Sequence, residues 1–499
     1  MQSRYPQDTP SRRARKRHQA ITLIRLQPVL KVSVITLGCD KNTVDSERYV
    51  AQLEDRGAEY TSDMADADVI VVNTCGFIDA AKKESIDALV EAGRLKDEGS
   101  VKAVVGVGCM VQRHKDELVD ALPEVDLFLG SAEMDRLIPE LEARGFLSED
   151  DVPAVHPGVR AFAGGLVHVR YLKISEGCDH GCAFCAIPLM RGKHRSFALG
   201  EIVHEAQLLE AQGARELNLV AQDLAHYGRD RRGEDLSLPA VLETLVEETT
   251  VPWIRMLYLY SAGLTPRLLE LMATEPRILR YLDMPIQHAS DPVLARMRRP
   301  ERQATIRDKV IRIRGAVPDV AIRTTCIVGF PGETEEDFET LLSFLEEMQF
   351  ERVGAFTYSP QEGTRAAELE DDVPESVKLE RLERLNEVQR LITAERYEQR
   401  LGRTVRALVD RVDPSTGSGQ AGDVVQARTA FQADDIDGVT HVTGAEGIAP
   451  GTFIDVTLDE VVDDVDFSAT FVRVISAPAA KPKQTRALPV MGSIGSFGR

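Results

Sequence analysis

The chain has 499 residues, of which 43% are apolar and 28% charged, and a formal net charge of −20; it is too long for one hydrophobic core. No apolar run approaches the roughly 20 residues of a membrane helix, which excludes a spanning segment. Seven cysteines are too sparse for a disulfide-stapled scaffold, and the N-terminus lacks the apolar core of a secretory signal, so a cytoplasmic protein is expected.

Residues 1–31 hold eight Lys/Arg against the single acid Asp8, which leaves about −27 on residues 32–499. A body this acidic repels phosphate backbones and attracts basic partners. The stretch 1–30 is read as a basic extension: a transit peptide, a nucleic-acid arm, or a dispensable disordered arm.

From Lys31 the chain turns regular. KVSVITLGC is a buried strand, followed by an amphipathic helix over 43–56 that stops at Gly57. The cycle repeats with ADVIVVNTC and a helix over 78–95, then VKAVVGVGC and a helix near 111–121, and ends with VDLFLG and a helix over 132–144. Short β-branched runs alternating with helices predict a doubly wound parallel sheet over residues 31–145.

The Pro- and Gly-rich stretch 148–165 is a linker. Six further strand-like runs follow, from LVHVRYLKIS to RVGAFTYS, with helices near 199–212, 236–248, 265–273, 302–315 and 334–347. They predict a partial β/α barrel over 164–399, closed by a charged helix over 375–401, with its chemistry at the carboxyl ends of the strands. From residue 400 to 477, TVRALVDRV, DVVQART, GTFIDVTLDEVV and FSATFVRVI predict a small OB-like β-barrel. Residues 478–499 are read as a disordered tail. The fold class is α/β with this appended barrel.

Six cysteines form two triplets. Cys178, Cys182 and Cys185 lie in ISEGCDHGCAFCAIP, a C-x3-C-x2-C spacing directly after a strand. Three thiolates this close can grip one face of an iron–sulfur cubane and leave one iron open. A zinc site wants four ligands, for which His180 is the local candidate; three core cysteines are the remaining alternative. Cys39, Cys75 and Cys109 are 36 and 34 residues apart, yet each ends a predicted parallel strand, the edge where open α/β sheets bind ligands. A second cluster is the expectation, with small hydrophobes at strand ends as the alternative. Gly38, Gly76 and Gly108 flank these cysteines. Cys326 is expected to be a buried core thiol, and His288 either faces the barrel mouth or is a satisfied core histidine.

The C-x3-C-x2-C motif with Phe184 before its third cysteine resembles the radical S-adenosylmethionine enzymes. The resemblance implies a 4Fe–4S cluster whose open iron chelates S-adenosyl-L-methionine, and one-electron cleavage to a 5′-deoxyadenosyl radical. TTCIVGFPGETEEDF resembles the family's fifth-strand segment, in which Gly329 lets backbone approach the adenine; a turn that starts a helix is the alternative.

The order of the three domains resembles the methylthiotransferases with their C-terminal TRAM module. That family implies two 4Fe–4S clusters and two molecules of S-adenosylmethionine per turnover, one giving the methyl group and the other the radical. LGCDKNTVDSE, NTCGFIDAAKKES, YLKISEGCDHGCAFCAIPLMRG and LDMPIQHAS resemble the protein-modifying branch, although that branch commonly has Pro where Asp40 stands here. The branch implies methylthiolation of the β-carbon of an aspartate in small-subunit ribosomal protein S-twelve, with flavodoxin or ferredoxin as electron donor. The other branch, acting on tRNA adenosine, and a non-catalytic iron–sulfur scaffold are the alternatives.

Charge is consistent with a protein substrate. Residues 401–476 hold five basic residues and thirteen acids, whereas an RNA-binding barrel wants a positive groove and stacking aromatics. Phe431, Phe453, Phe467 and Phe471 are read as core. Asp434, Asp435, Asp437, Asp463 and Asp464 are expected to steer a basic partner, and a direct tRNA substrate is not expected.

Overall fold

The structure, a computed structural model, describes residues 29–147, 160–162, 164–231, 236–413 and 424–478. Most of the basic extension, most of the linker and all but the first residue of the C-terminal tail lie outside these described residues. Among the described residues no helix is long and apolar enough to cross a membrane.

The first unit is a five-stranded parallel sheet. Its strands are β1 (Lys31–Thr36), β2 (Glu59–Tyr60), β3 (Val69–Thr74), β4 (Ala103–Gly108) and β5 (Leu127–Gly130), in the order β2-β1-β3-β4-β5. The helices are α1 (Asp40–Asp55), α2 (Asp79–Asp97), α3 (Cys109–Ala121) and α4 (Leu137–Ala143). Both faces are covered, and strand parity decides which helix each residue meets. Val69 and Val71 join Tyr49 and Leu53 of α1 with Leu137 and Leu141 of α4; Ile70 and Val72 join Leu89 and Ala92 of α2 with Leu118 of α3. The order reverses between β1 and β3, the switch point where such sheets bind ligands.

The helix starts differ from expectation in a useful way. α1 begins at Asp40 and α3 at Cys109, two or three residues early, so Cys39 is an N-cap and Cys109 a first-turn residue. Neither residue type announces a helix, which hid the boundary. The helix expected over 132–144 is a 3-10 turn, Ser131–Arg136, followed by α4. Glu133 leaves helical geometry there and accepts a hydrogen bond from Gly130 N at 2.9 Å.

The second unit has the strands β6 (Val169–Lys173), β7 (Ser175–Glu176), β8 (Arg195–Ser196), β9 (Glu216–Val220), β10 (Trp253–Met256), β11 (Tyr281–Asp283), β12 (Ala321–Val328) and β13 (Arg352–Thr357). Its helices are α5 (Ile187–Arg191), α6 (Leu199–Ala211), α7 (Leu238–Glu248), α8 (Pro266–Thr274), α9 (Asp291–Arg296), α10 (Gln303–Ala316), α11 (Glu335–Met348) and α12 (Glu375–Glu398). The parallel sheets β6-β9-β10 and β11-β12-β13 meet through a bridge between Ile254 and Ile278. Six parallel strands thus follow in chain order as a partial barrel, and its core lies between strands and outer helices.

The third unit is a closed five-stranded barrel, β14 (Thr404–Asp413), β15 (Val424–Thr429), β16 (Thr440–Thr443), β17 (Phe453–Val462) and β18 (Asp466–Ser476), ordered β14-β15-β16-β18-β17. β16 is the strand the sequence pattern misses, because THVT is too short to show alternation. Phe431, Phe453 and Phe467 are buried in the core and Phe471 packs against it.

This small barrel covers the amino-terminal rim of the large one. The first residues of five strands, Val169, Glu216, Trp253, Tyr281 and Ala321, meet it. Trp253 packs edge-on against Phe453, Arg428 pairs with Glu216 at 2.9 Å and with Asp410 at 2.6 Å, and Tyr281 Oη donates to Asp437 at 2.6 Å. Two of the five acids expected to steer a partner are therefore spent inside: Asp437 is buried, and Asp434 sits beside Arg428, its carboxyl pushed up to about 7 by burial. Asp435 and Asp463 are exposed, and Asp464 pairs with Arg390.

α1 of the first unit docks on the large barrel through charge. Asp45 accepts from Lys173 at 2.5 Å, and Glu47 accepts from Arg170 at 3.0 Å and from Arg160, which also pairs with Glu205. The side chains of Glu47, Arg160 and Arg170 are at most 3% exposed. Removing one member of a buried pair strands its partners, at a cost of about 3–5 kcal/mol. Glu47→Ala is thus expected to lower the thermal midpoint clearly, whereas Asp66→Asn, which opens an exposed pair with Lys31, should leave it nearly unchanged; differential scanning calorimetry makes the comparison.

Candidate functional site

β1, β3 and β4 are adjacent, and Cys75 and Cys109 directly follow β3 and β4 in register, since Thr74 pairs with Gly108. Cys39 follows β1 by three residues. The fold brings all three to one edge of the sheet, as the strand topology predicts. Gly38, at φ +91°, is required there, because a Cβ would lie 2.7 Å from Cys75 Sγ. Gly108, at φ +101°, is likewise pressed on Thr74 O at 2.7 Å.

Polar side chains fix the turns that bear Cys39 and Cys75. Asn42 Nδ2 donates to Leu37 O at 2.7 Å and to Thr74 O at 3.2 Å, tying the β1 and β3 turns together. Ser85 Oγ accepts from Cys75 N at 2.9 Å and donates to Cys75 O at 3.0 Å. Asn73 Nδ2 donates to Asn42 O and Ser46 Oγ, both at 3.0 Å. Asp40 is the first residue of α1, a position that suits proline and acids alike.

The second triplet lies in the loop after β6. The short antiparallel pair β7–β8 closes the base of this loop through Ser175 with Ser196 and Glu176 with Arg195. Gly177 turns beneath Lys193 O, Cys178 N donates to Gly192 O at 3.1 Å, and Ala183 N donates to Met297 O at 2.9 Å. His180 is turned away from the cysteines: its Nε2 lies 2.8 Å from Asp223 Oδ2 and its ring stacks on Tyr260 at 4.2 Å. Asp223 also holds His226 Nδ1 at 2.9 Å, a clamp that sequence spacing did not reveal. The Arg299 guanidinium lies over Tyr260 and reaches Cys182 Sγ at 3.9 Å.

The units that carry the two triplets meet at Cys109, which packs with Ala186, the residue after Cys185, and with Met190 of α5. Arg191, on the same short helix α5, donates its Nε to Cys109 Sγ at 3.1 Å.

Burial, followed by the neighbouring thiols, pushes the Cys75 thiol up to about 12; burial likewise carries Cys109 and Cys178 to about 11 and Cys185 to about 12. Such thiols stay protonated at neutral pH until a cation neutralises the charge. Among the described residues, His180, Asp223 and His226 and the group His114, Glu117 and Glu362 draw their ligand atoms within 4.8 Å of one another; neither cysteine triplet is so tight. A donor set of three soft thiolates suits a thiolate-bound iron–sulfur cluster.

Gly329 lies at the end of β12 with φ +70°, and a Cβ would meet Lys378 Cγ at 2.3 Å. The following residues make the turn that starts α11, where Thr334 and Asp337 cap each other. His288 is fully buried, with Nδ1 accepting from Ser290 N at 2.9 Å and Nε2 3.6 Å from Glu333. It is a core histidine, apart from any open mouth. Cys326 is likewise fully buried, and burial raises its thiol.

Comparison with known proteins agrees with this geometry. Residues 31–130 match the uncharacterized protein family UPF0004, 172–345 the radical SAM superfamily, and 401–472 the TRAM domain. A protein of Anaeromyxobacter sp. (strain Fw109-5), ribosomal protein uS12 methylthiotransferase RimO, is 43% identical over 93% of this chain and 99% of its own. Proteins of the same name are 43% identical in Desulforudis audaxviator, over 85% of this chain and 93% of theirs, and 41% identical in Geobacter sulfurreducens, over 83% and 92%. Among solved structures, the radical S-adenosylmethionine methyltransferase TsrM of Kitasatospora setae shares the fold, with a TM-score of 0.50 at 13% identity over 66% of this chain and 72% of that one.

Two outcomes follow from the buried residues. Cys326→Ala is expected to leave the iron content of the anaerobically reconstituted protein unchanged, as metal analysis will show, because this thiol faces neither triplet. Burial holds His288 neutral down to about pH 3, below its ordinary value of 6.5. The unfolded chain takes up that proton near 6.5 and the folded chain does not, so His288 costs stability as pH falls from 6.5 towards 3 and nothing above. A His288→Asn variant should lose that part of the acid dependence in denaturant titrations at stepped pH.

Proposed function

The chain belongs to the family of ribosomal protein uS12 methylthiotransferases, and we propose that it places a methylthio group on the β-carbon of an aspartate of that small-subunit protein, using two 4Fe–4S clusters. It is a radical S-adenosylmethionine enzyme. The observation that carries the two-cluster reading is a further thiol triplet at one edge of the parallel sheet, with its Cys109 packed against Ala186 and Met190 beside the loop of Cys178, Cys182 and Cys185.

In this reading Cys178, Cys182 and Cys185 hold the cluster that binds S-adenosyl-L-methionine, and Cys39, Cys75 and Cys109 hold the cluster that handles the sulfur. When bound, the first supplies the electron that cleaves S-adenosylmethionine to the radical that opens the substrate C–H bond. The protein's part is placement and exclusion of water. The hydrogen bonds of Asn42, Asn73 and Ser85 hold the turns of Cys39 and Cys75 in one geometry, and the β7–β8 clasp and the His180–Asp223 pair hold the other loop. Gly329 lies at the end of a barrel strand, on the rim where this fold places its chemistry, and its backbone is the adenosine contact.

The division into 31–145, 164–399 and 400–477 assigns the sulfur-handling cluster, the radical core and the TRAM module in turn. We place the protein in the cytoplasm, with flavodoxin or ferredoxin as electron donor and without a direct tRNA substrate. The net charge of −20 favours a basic ribosomal protein over a phosphate backbone.

Anaerobic reconstitution should load about eight irons per chain, the content of two four-iron clusters. Cys182→Ala is expected to abolish 5′-deoxyadenosine release, and Cys75→Ala to keep that release while losing methylthio transfer to the ribosomal protein, read by mass spectrometry. Transfer by Cys75→Ala at the wild-type rate would sink the second site. Methylthio-adenosine appearing in tRNA while the ribosomal protein stays unmodified, with both offered in one reaction, would overturn the substrate.

A further inference from the structure

Arg191 leaves the loop of the second triplet but spends its donors on the first. Its Nε donates to Cys109 Sγ at 3.1 Å, Nη1 to Asp45 Oδ2 at 2.5 Å and to Glu176 Oε2 at 3.3 Å, and Nη2 to Asn42 Oδ1. The side chain is 5% exposed, so these contacts are little screened by water. The arginine near the other triplet, Arg299, reaches Cys182 at 3.9 Å and stays within its own barrel. Arg191 is therefore the guanidinium that crosses from one triplet's unit to the other's sulfur.

The charges around it are balanced. Asp45 and Glu176 face Lys173 and Arg191, two acids against two bases. A cluster thiolate at Cys109 then receives a charge-assisted N–H···S bond from a cation whose own charge the acids already offset. Hydrogen bonds to the sulfurs and local net charge are the protein's main controls on a cluster's reduction potential. A guanidinium N–H favours the more negative, reduced state.

We propose that Arg191 is a positioning residue that raises the reduction potential of the cluster held by Cys39, Cys75 and Cys109, and so ties the redox state of that cluster to the docking of the radical barrel. The inference rests on the two-cluster reading. Removing the side chain acts twice in one direction: it deletes the N–H···S bond and leaves Asp45 and Glu176 with one cation between them.

The test is a potentiometric titration of the intact reconstituted enzyme followed by electron paramagnetic resonance. An S-adenosylmethionine analogue with no transferable methyl group perturbs only the cluster it ligates, so the signal it leaves unchanged belongs to the other cluster. In Arg191→Met the midpoint of the insensitive signal is expected to fall by about 59 mV or more, a tenfold change for one electron, while the sensitive signal keeps its midpoint. Arg191→Lys keeps the charge but loses the planar fork, so it should show a smaller shift of the same sign. It also carries the test if the methionine variant takes up too little iron. An unshifted insensitive signal in whichever variant retains both clusters overturns the proposal, as does an equal shift of both signals, the mark of a general loosening. Wild-type enzyme holding the iron of a single cluster, with no insensitive signal at all, would instead refute the two-cluster reading beneath it.

Discussion

The arrangement hangs on the burial of charge between α1 and β6. Asp45, Glu47, Lys173, Arg160, Arg170 and Arg191 are all nearly excluded from water, and each is tolerable only because an opposite charge meets it. Such networks add little stability over an apolar packing of the same volume, yet a partner removed or shifted is severely penalised. Sliding α1 by one residue against the barrel would strand several charges at once. The network thereby sets where the Cys39 and Cys109 turns lie relative to the loop of Cys178, Cys182 and Cys185, and two thiol triplets are useful to one reaction only at a fixed separation.

The same network explains which parts of the molecule were legible in the chain. The alternation of apolar runs with helices was, because a parallel sheet covered on both faces imposes it locally. The convergence of Cys39, Cys75 and Cys109 was, because topology alone carries strand ends to one edge. The letters between the cysteines in LGCDKNTVDSE and YLKISEGCDHGCAFCAIPLMRG could be quoted as a likeness but not explained. Asn42 and Asp45 in the first and Lys173 and Arg191 in the second are one another's partners across more than 100 residues, and Glu47 meets Arg160 and Arg170 over a similar span. Nothing in local periodicity signals a pair of that separation. The His180–Asp223–His226 clamp was hidden for the same reason: its sense lies in what it meets.

Charge arithmetic over the third unit needed the structure to sort it. A sum over residues 401–476 counts Asp434 and Asp437 with the surface acids, but they are neutralised against Arg428, Arg323 and Arg352 at the rim of the large barrel. What remains outside is a thinner field, carried by acids such as Asp435, Glu446, Asp459, Glu460 and Asp463. The small barrel lies at the amino-terminal ends of the strands, and the thiol-bearing loops at their carboxyl-terminal ends, so one side of the large barrel is committed to closure and the other to chemistry.

The spacing of the interdomain ion pairs also has a meaning in time. Asp45 and Lys173 are 128 residues apart, and Glu47 waits 113 residues for Arg160. At a synthesis rate of about 5–20 residues per second, α1 leaves the ribosome roughly 6–25 s before Lys173. Through that interval its acids keep their shells of water, and the sheet that bears three cysteines has no barrel against it. The first unit must therefore persist as a nascent fragment with one wet, negatively charged face, and the arrival of β6 turns that face into an interior. Docking is thus a late event of maturation, and it is the step at which Cys109 comes to pack against Ala186 and Met190.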